Sequence, residues 1–514
     1  MPEARAQAVA PPEARRAAPQ GDPLTGSAMV AAMLLGDLFE DRTLPEVHVD
    51  ALAYDARSVT PGPVFFCVRG FTADGHRYAP DAVANGAVAL VVDHPLGYGV
   101  PEVLVEDVRA AMAPAAARLA GDPTAELAMV GITGTNGKTT TSFLTRALLE
   151  AGGRQTGLIG TVTSWVGGAE QPVVRTTPEA IDLQRTFRSM IDARPPDAAC
   201  VMEVSSHALA LHRADAIHWD VAAFTNLTQD HLDFHDDMED YFLAKRRLFE
   251  VAAEQDATLI ACVDDPYGAR LARDFPQAVT IGIDAPDATL RAVGLRPGPH
   301  ATDFSVDGLA LRAPLPGRFN VLNSLVALAA ARALGVDDAT IAAALPGAGG
   351  VPGRFEPVDG GQDFAVIVDY AHKPDALDNV LRTARELATR DLIVVVGAGG
   401  DRDRGKRPIM GAAAAAHADR VVITSDNPRS EEPEAIIAAI AAGAEDACGR
   451  AREIDRVTDR REAIEAALAG AGTGDVVVIA GKGHETYQEI AGGVKLPFDD
   501  REVAREALRA RLER

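Results

Sequence analysis

At residues 129–141 the chain reads Met129-Val130-Gly131-Ile132-Thr133-Gly134-Thr135-Asn136-Gly137-Lys138-Thr139-Thr140-Thr141. The apolar run 127–132 predicts a buried strand, and the apolar spacing after Thr141 predicts an amphipathic helix. Glycines between a strand and a helix let backbone N–H groups surround phosphate oxygens, and the start of the helix adds a positive dipole end. Lys138 supplies a mobile positive charge, and Thr139 offers a hydroxyl to Mg²⁺. The stretch therefore predicts a phosphate-binding loop at the head of an α/β domain.

This loop is a variant of the common phosphate-loop pattern. Four residues between the first glycine and the Gly-Lys pair would require a glycine at position 132, where the chain has Ile132. A glycine turn that leads into an ordinary helix is the alternative. It is disfavoured because Gly-Lys-Thr directly after an apolar strand rarely serves packing alone.

Length and composition restrict the class of protein. A chain of 514 residues predicts about three domains, and 47% hydrophobic with 24% charged residues is ordinary for a soluble globular protein. The net charge of −24 argues against a general affinity for nucleic acid or for an anionic membrane. Four scattered cysteines suggest neither a zinc site nor a disulfide framework and fit a reduced, cytoplasmic setting. Residues 1–22 are expected to be a disordered extension, and no membrane-spanning helix is predicted.

Strands and helices alternate along most of the chain, which predicts an α/β fold with three domains. Residues 23–124 are expected to form a smaller N-terminal α/β domain. Residues 125–348 are expected to form a central P-loop-type ATPase domain with a parallel sheet, and residues 349–514 a Rossmann-like C-terminal domain. The loops at the carboxyl ends of parallel strands share one sheet edge, so functional side chains are expected there.

Several side chains of the central domain are candidates for ligand binding. Glu203 lies at the far end of the strand predicted at 198–204, where a carboxylate would lie beside the phosphate loop, although a solvated charge is the alternative. Lys245 lies between apolar neighbours on a predicted helix, a position more often occupied by a snorkelling surface lysine. Asn320 and Asn323 stand three apart at a predicted helix start and could bind a base edge, although helix capping is the default interpretation.

Charged loops follow the predicted strands of the C-terminal domain. They carry Arg402, Asp426, Arg429 and Glu485. Arginine binds a carboxylate bidentately and an acidic side chain binds an amine, so this combination suits a zwitterionic amino acid. Together with the phosphate loop, the pattern indicates ATP-dependent activation in which an amino acid is the second ligand.

Five motifs resemble those of the Mur ligase family of peptidoglycan synthesis, in the family's order, over about residues 27–510. They are Thr133-Gly134-Thr135-Asn136-Gly137-Lys138-Thr139, Glu203-Val204-Ser205-Ser206-His207, Asn226-Leu227-Thr228-Gln229-Asp230-His231-Leu232-Asp233, Asp369-Tyr370-Ala371-His372 and Gly481-Lys482-Gly483-His484-Glu485. The run Asp426-Asn427-Pro428-Arg429 resembles the signature of members that add 2,6-diaminopimelate. The arginine position differs in lysine-adding members, because lysine has no second carboxylate to pair.

The resemblance implies a cytoplasmic enzyme of cell-wall biogenesis. It would join 2,6-diaminopimelate to UDP-N-acetylmuramoyl-L-alanyl-D-glutamate through an acyl phosphate, with ATP as co-substrate and Mg²⁺ as cofactor. Its partners would be these small molecules, without nucleic acid or membrane insertion, and a monomer is expected. The resemblance leaves meso- and LL-diaminopimelate undistinguished.

The resemblance also implies roles for individual residues. Lys138, Glu203, His231 and Lys245 would be catalytic. ATP would be bound by Gly134, Thr135, Asn136, Gly137, Lys138, Thr139, Thr140, Asn320, Asn323, Arg354, Asp369 and His372. Mg²⁺ would be held by Thr139, Glu203, His231 and Lys245, the lysine as a carbamate formed with CO₂. The UDP-sugar dipeptide would be bound by Ser58, Thr176, Thr177, Ser205 and Arg213, and diaminopimelate by Arg402, Asp426, Asn427, Pro428, Arg429, Gly481 and Glu485.

Two positions depart from the family pattern, and three other functions compete. Leu211 replaces a glutamine of some relatives, which puts that contact with the sugar-peptide in doubt, and Lys373 replaces a frequent threonine. The alternatives are a lysine-adding Mur ligase, a folylpolyglutamate synthase and a nucleotide-binding regulator that has lost catalysis. Folylpolyglutamate synthase lacks a UDP-sugar domain before the phosphate loop, whereas about 100 ordered residues are expected there in this chain.

Overall fold

The three larger sheets of the protein consist mainly of parallel strands, as the alternation of strands and helices predicts. The computed structural model describes residues 32–59, 62–71, 73–173, 175–298 and 301–512. The extension predicted at 1–22 lies outside the described residues. Within these ranges, no helix combines the length and the apolar character needed to cross a bilayer.

The N-terminal part is built on a four-stranded parallel sheet. Its elements are β1 (Met33–Leu34), α1 (Leu35–Leu38), β2 (His48–Val49), β3 (Ala51–Ala53), β4 (Pro63–Phe66), α2 (Ala79–Ala84), β5 (Ala89–Val92), β6 (Glu102–Leu104) and α3 (Val108–Leu119). The parallel strands are ordered β3-β4-β5-β6, while β1 and β2 form a small antiparallel pair. Strands β4 and β5 are buried along their whole length, so their following loops start from a rigid base.

The central part contains a nine-stranded sheet and the phosphate loop. Its strands are β7 (Ala128–Thr133), β8 (Thr156–Ile159), β9 (Ser164–Val166), β10 (Ala169–Gln171), β11 (Ala199–Glu203), β12 (Val221–Phe224), β13 (Thr258–Cys262), β14 (Val279–Gly282), β15 (Leu290–Arg291), β16 (Val293–Pro297), β17 (Thr302–Val306) and β18 (Leu309–Ala313). Its helices are α4 (Lys138–Ala151), α5 (Ala180–Asp192), α6 (Ser206–Ala210), α7 (Met238–Glu254), α8 (Pro266–Asp274), α9 (Arg318–Ala333) and α10 (Asp338–Ala344).

The sheet order places the phosphate loop between two other functional strands. The order is β10-β9-β8-β11-β7-β12-β13-β14-β15, so β7 lies between β11 and β12. Helices α4 and α9 pack together through one apolar cluster that includes Leu144, Leu148, Val321 and Leu325. This cluster fixes the helix that begins at the phosphate loop.

The central domain has the predicted parallel sheet, and it also contains antiparallel strands that the sequence did not indicate. Strands β9 and β10 join the large sheet antiparallel, and β16, β17 and β18 form a separate antiparallel sheet. In β17 and β18 buried residues alternate with more accessible ones, so one face packs on the core. Successive strands without an intervening helix can pair as hairpins, which the sequence pattern did not reveal.

The C-terminal part is a second mainly parallel α/β unit, which confirms the predicted fold class. Its elements are β19 (Glu356–Pro357), β20 (Ala365–Asp369), α11 (Pro374–Leu387), β21 (Leu392–Val396), α12 (Lys406–His417), β22 (Arg420–Ile423), α13 (Pro433–Asp446), β23 (Glu453–Arg456), α14 (Arg460–Gly470), β24 (Val476–Ala480), β25 (Tyr487–Ile490), β26 (Val494–Pro497) and α15 (Asp500–Leu512). The sheet order is β19-β20-β24-β21-β22-β23, with only β19 antiparallel, and β25 and β26 form a hairpin.

Candidate active site

The phosphate loop curls between β7 and α4, and two of its glycines make close approaches. Gly134 has φ +145°, and a Cβ there would lie 1.9 Å from Thr225 Oγ1. Gly137 has φ +84°, and a Cβ there would lie 2.4 Å from Asn323 Oδ1. Residues with side chains would be strained and obstructed at both positions. The glycines therefore let the loop pack against the ends of β12 and α9.

Lys138 is folded back onto this loop. Its Nζ donates hydrogen bonds to the carbonyls of Gly134 (2.8 Å) and Thr135 (3.0 Å). Burial, together with the nearby charge of Lys373, lowers the pKa of Lys138 to about 8. An anionic ligand would raise that pKa again, so the lysine is suited to binding phosphate.

Glu203 lies fully buried at the end of β11, beside the phosphate loop. Its Oε2 accepts hydrogen bonds from the hydroxyls of Thr139 (3.1 Å) and Thr161 (2.9 Å), and its Oε1 accepts one from the Thr161 N–H (2.9 Å). The pairing of β11 with β7 and β8 brings these groups together. A carboxylate and a hydroxyl side by side are the hard oxygen donors that Mg²⁺ prefers. Sequence reasoning missed Thr161, although its position just after β8 was a usable signal.

His231 and Asp230 form the next part of the site. The His231 Nε2 lies 3.0 Å from Asp230 Oδ2, and the backbone of His231 has φ +54°. Asp230 also pairs with Lys373 of the C-terminal part. Burial alone would raise the pKa of Asp230, but the contacts with His231 and Lys373 lower it. Lys373 thus forms an ion pair between the central and C-terminal parts.

Lys245 is buried on α7 and contacts the same carbonyl as Lys138. Its Nζ donates to the Gly134 carbonyl at 2.9 Å and lies 4.7 Å from the centre of the Tyr241 ring. Burial, followed by the charges of Lys138 and Lys373, holds the pKa of Lys245 well below its ordinary value. The interpretation of Lys245 as a snorkelling surface lysine is wrong, because its side chain is enclosed.

The start of α11 contacts the phosphate loop directly. Asp375 Oδ2 accepts hydrogen bonds from Asn136 Nδ2 and from Thr228 Oγ1, both at 2.5 Å. Asn136 belongs to the central part, so this contact joins two parts of the chain across the site. Sequence reasoning missed Asp375, because nothing local indicates which distant loop an acidic residue will reach.

A second polar cluster lies at the carboxyl ends of β22 and β24. Asn427 Nδ2 donates to Glu485 Oε2 at 2.8 Å, and the buried Lys482 donates to Asn427 Oδ1 (3.0 Å) and Glu485 Oε2 (3.2 Å). Arg429 donates to Glu489 Oε2 at 3.1 Å and to the Gly400 carbonyl at 2.7 Å. Lys482 was quoted in a motif but given no role. Its ammonium holds the amide and the carboxylate in place.

One cleft of about 1340 Å³ connects the phosphate loop with this second cluster. The predicted site residues that line it are Thr135, Asn136, Gly137, Lys138, Thr139, Thr140, Thr176, Glu203, Ser205, His231, Asn320, Asn323, Arg354, Asp369, His372, Arg402, Asp426, Asn427, Arg429, Gly481 and Glu485. The predicted site residues outside its lining are Ser58, Gly134, Thr177, Arg213, Lys245 and Pro428. The fold therefore gathers most of the predicted set from two separate sheets.

The residues assigned to the sugar-peptide fall into two groups. Thr176 lies 3.1 Å from Thr161 at the cleft, and the Thr177 hydroxyl donates to the backbone carbonyl of Glu203 at 2.8 Å. Arg213 pairs with the buried Glu179 at 2.9 Å and does not line the cleft. Ser58, in contrast, is exposed in the N-terminal part and is not among the residues that line the cleft.

The capping interpretation of the two asparagines is wrong. Helix α9 begins at Arg318 with Gly317 as its cap residue, so both asparagines lie inside the helix. Asn320 Nδ2 donates to the Pro316 carbonyl at 2.7 Å, and Asn323 Oδ1 accepts from Thr141 at 3.3 Å. Their side chains line the cleft instead of closing the end of the helix.

The residues that face the phosphate loop from the C-terminal part are largely buried. Asp369 accepts backbone hydrogen bonds from Phe355 (2.6 Å) and Ala371 (2.7 Å), and burial raises its pKa. Burial and the charge of Lys373 lower the pKa of His372 to about 3, so its ring is neutral near pH 7. His372 therefore offers a neutral ring to a nucleotide on this side of the cleft.

Comparisons with known proteins show which family the chain resembles. Three family models match in chain order: "Mur ligase family, catalytic domain" at 48–119, "Mur ligase middle domain" at 132–331 and "Mur ligase, glutamate ligase domain" at 353–483. The relative named UDP-N-acetylmuramoyl-L-alanyl-D-glutamate--2,6-diaminopimelate ligase from Geobacillus thermodenitrificans is 47% identical over 477 residues, covering 90% of this chain and 95% of the relative.

Solved structures give the same result for the fold. A structure of a UDP-N-acetylmuramoyl-L-alanyl-D-glutamate--2,6-diaminopimelate ligase is 32% identical, with TM-score 0.67, covering 94% of this chain and 99% of that one. The MurF ligase of Thermotoga maritima, solved in complex with ADP, is 19% identical with TM-score 0.59, covering 90% of this chain and 98% of that one, and supports the fold alone. With these matches spanning nearly its whole described length, the chain belongs to the Mur ligase family.

Proposed function

We propose that this protein is an ATP-dependent ligase that joins 2,6-diaminopimelate to the D-glutamyl γ-carboxylate of UDP-N-acetylmuramoyl-L-alanyl-D-glutamate. The observation that carries the proposal is the single cleft that links the phosphate loop to the cluster of Asp426, Arg429 and Glu485. Such a cleft can hold a phosphate donor and a zwitterionic amine acceptor at the same time. The names of the 2,6-diaminopimelate ligases similar to the chain support the choice of substrates.

In the first step, an oxygen of the γ-carboxylate attacks the γ-phosphorus of ATP, the bond to the ADP oxygen breaks, and ADP leaves. Lys138 and the backbone N–H groups of 134–140 hold the phosphates in line with the carboxylate. The ammonium of Lys138 offsets the negative charge that spreads over the transferring phosphoryl group. The product is an acyl phosphate on the D-glutamyl side chain.

Thr139, Glu203 and His231 would hold Mg²⁺, and the donors present fit that ion. Two of the three offer oxygen atoms, and the buried carboxylate brings the negative charge that a divalent cation requires. When bound, Mg²⁺ neutralises phosphate charge and orients the phosphates. The hydrogen bonds from Thr161 keep the carboxylate of Glu203 turned toward Thr139.

Lys245 is proposed to carry a carbamate. The nitrogen lone pair of a neutral amine adds to the carbon of CO₂, and loss of one proton leaves a stable anion. The burial and nearby cations that lower the pKa of Lys245 favour this neutral form. The modification would replace a potential third cation beside Lys138 and Lys373 with an anion that supports the metal.

In the second step, a neutral amine of diaminopimelate attacks the acyl carbon, the carbon–oxygen bond to phosphate breaks, and the nitrogen loses its proton. Arg402 and Arg429 would bind carboxylates of the amino acid, while Asp426 and Glu485 would bind its distal ammonium. Asn427, Pro428 and Gly481 would shape the same loops. The contacts of Lys373 and Asp375 with the central part would keep this cleft closed against water.

The remaining assignments complete the two other ligands. Asn320, Asn323, Arg354, Asp369 and His372 would line the nucleotide, together with 134–140. Ser58, Thr176, Thr177, Ser205 and Arg213 would serve the sugar-peptide, directly or by holding the wall of the cleft. The three domains at 23–124, 125–348 and 349–514, a cytoplasmic location and a monomeric state are proposed with this function.

Phosphate release tests the proposal. The protein is supplied with ATP, Mg²⁺ and the UDP-sugar dipeptide, and meso-diaminopimelate, LL-diaminopimelate and L-lysine are compared as acceptors. We expect release that depends on a diaminopimelate isomer, and a tripeptide product of the matching mass. A preference for lysine would favour the lysine-adding alternative. An absence of release with all three acceptors would favour a regulator.

A further inference from the structure

A cluster of metal-ligating side chains lies in the N-terminal part, at the carboxyl edge of its parallel sheet. His76 follows the loop after β4, and Asp93 with His94 follows β5 directly. One ligand atom from each of these three residues lies within 4.8 Å of the other two. These residues take no part in the proposed ligase mechanism.

The orientation of His76 places its Nδ1 against Asp74 and its Nε2 in the cluster. The His76 side chain is only 5% exposed, and its Nδ1 lies 2.7 Å from Asp74 Oδ1. A neutral ring that donates its Nδ1 proton to Asp74 has an unprotonated Nε2. This Nε2 faces Asp93 Oδ1 at 3.2 Å, and its contact with the Asp93 N–H is long, at 3.5 Å. In this tautomer two electron-rich atoms face each other, and a cation between them would satisfy both.

The distance between His76 Nε2 and Asp93 Oδ1 is compatible with a shared metal ion. Two ligands on one tetrahedral Zn²⁺, with bonds of about 2.0–2.2 Å, are separated by roughly 3.4 Å, close to the His76–Asp93 distance. His94 Nδ1 contacts the same Asp93 oxygen. The ring nitrogen of a metal-binding histidine that does not bind the metal commonly donates a hydrogen bond to a carboxylate. Asp74 is placed to accept such a bond from His76.

We propose that His76 Nε2, Asp93 and His94 Nδ1 bind a divalent transition-metal ion, with Zn²⁺ as the best fit, and that Asp74 orients His76. Two imidazoles and one carboxylate suit a borderline ion better than Mg²⁺, which prefers oxygen ligands throughout. A water molecule or another ligand would fill a fourth position, because the side chain of His94 is half exposed.

Arg69 competes with the metal for Asp93. Its Nε donates to Asp93 Oδ2 at 2.7 Å, and its Nη2 donates to Oδ1 at 3.2 Å. The first contact leaves Oδ1 available to a metal, whereas the second occupies it. The guanidinium is mostly exposed, so it can move to solvent when a cation binds.

The site would fix a loop that touches the central part. Phe71, in the loop before His76, meets Phe234 edge to face, with 5.6 Å between ring centres. Phe234 stacks on His207, whose ring meets that of His231. A metal ion would therefore hold the N-terminal side of this aromatic contact in one position.

Titration of the metal-stripped full-length protein with Co²⁺ tests the proposal. Excess Mg²⁺ is included to occupy the oxygen-rich site, and binding is followed by the visible absorption of Co²⁺ and its reversal by Zn²⁺. We expect one tight site per chain, lost in His94→Ala and Asp93→Asn. Asp74→Asn should weaken binding by about 10- to 100-fold, because it removes the orienting charge.

Two control variants, and one variant that should bind Co²⁺ more tightly, make the test specific. His48→Ala removes an exposed histidine of the same part of the chain, and His231→Ala removes the predicted ligand of the ligase site, so neither should change Co²⁺ affinity. Arg69→Gln should tighten binding, because it removes the competing cation. Unchanged Co²⁺ absorption in His94→Ala, or loss of absorption only in His231→Ala, would overturn the proposal.

Discussion

Replacing Arg460 by methionine should destabilise the C-terminal part strongly. The Arg460 side chain is fully buried and donates two hydrogen bonds to the equally buried Asp500, at 2.8 and 2.7 Å. It also donates to the carbonyls of Ala480 (3.0 Å) and Ser425 (3.4 Å), the residues just before Gly481 and Asp426. Removing one partner of a buried ion pair costs about 3–5 kcal/mol, because the other charge stays buried without compensation.

The neighbouring arginine provides a matched control. Arg461 pairs with Glu506 at 2.6 Å, but both side chains are about half exposed. An exposed pair contributes about 0.2–1 kcal/mol, so Arg461→Met should have a small effect. Both substitutions replace an arginine on the same helix, and they differ mainly in the burial of the ion pair.

Native-state hydrogen exchange of peptides that cover β22 and β24 measures the difference. One tenfold change in rate corresponds to about 1.4 kcal/mol, so Arg460→Met should speed the exchange of protected amides by roughly 10²- to 10⁴-fold. Arg461→Met should speed it less than about sixfold. Adding Asp500→Leu to the Arg460→Met variant should restore part of the lost stability and slow the exchange again. Equal exchange rates in the two single variants would refute the reasoning.

Three other substitutions test the site. Gly137→Ala should weaken ATP binding at least tenfold in a direct titration, whereas Gly153→Ala should not, because both have positive φ but only the first Cβ meets a clash. The pKa of Lys138 in the folded protein is about 8, below its ordinary value. Lys138 should therefore lower the free energy of unfolding progressively as pH falls from about 10.5 to 8. Phosphate should raise that pKa, so ATP binding at pH 8 should be accompanied by uptake of about half a proton. Calorimetry in buffers of different ionisation enthalpy measures this uptake, and Lys138→Met should abolish it. Arg429→Ala should lower kcat/KM for diaminopimelate by about 10- to 100-fold, the loss of charged hydrogen bonds, while the exposed Arg404→Ala should not. Equal ATP binding by Gly137→Ala and Gly153→Ala, equal kcat/KM in Arg429→Ala and Arg404→Ala, or proton uptake that persists in Lys138→Met would contradict the corresponding assignment.

Some parts of the site were predictable because their signals are local. The strand, the glycine turn and the helix of 129–141 follow from apolar spacing and from the freedom of glycine at positive φ. The end of β11 at Glu203 and the helix that carries Lys245 were predicted in the same way. The motif order was also sufficient to predict the family, which the comparisons confirm.

Other parts depended on contacts between residues far apart in the chain. Thr161 reaches Glu203 because β8 pairs with β11, and Asp375 reaches Asn136 across two parts of the chain. The burial of Lys245, rather than its helical position, lowers its pKa. Neither distance nor burial is encoded in residue spacing.

The sequence by itself determined the α/β class, the strand, glycine loop and helix of 129–141 and the candidate site residues, because backbone preference and apolar periodicity act over a few residues. Only the tertiary structure decided which strand ends lie side by side. It also decided that Lys373 meets Asp230 and that His76 faces Asp93. Sheet order and domain packing arise from the burial of whole apolar faces, so these partners become neighbours only after the chain has folded.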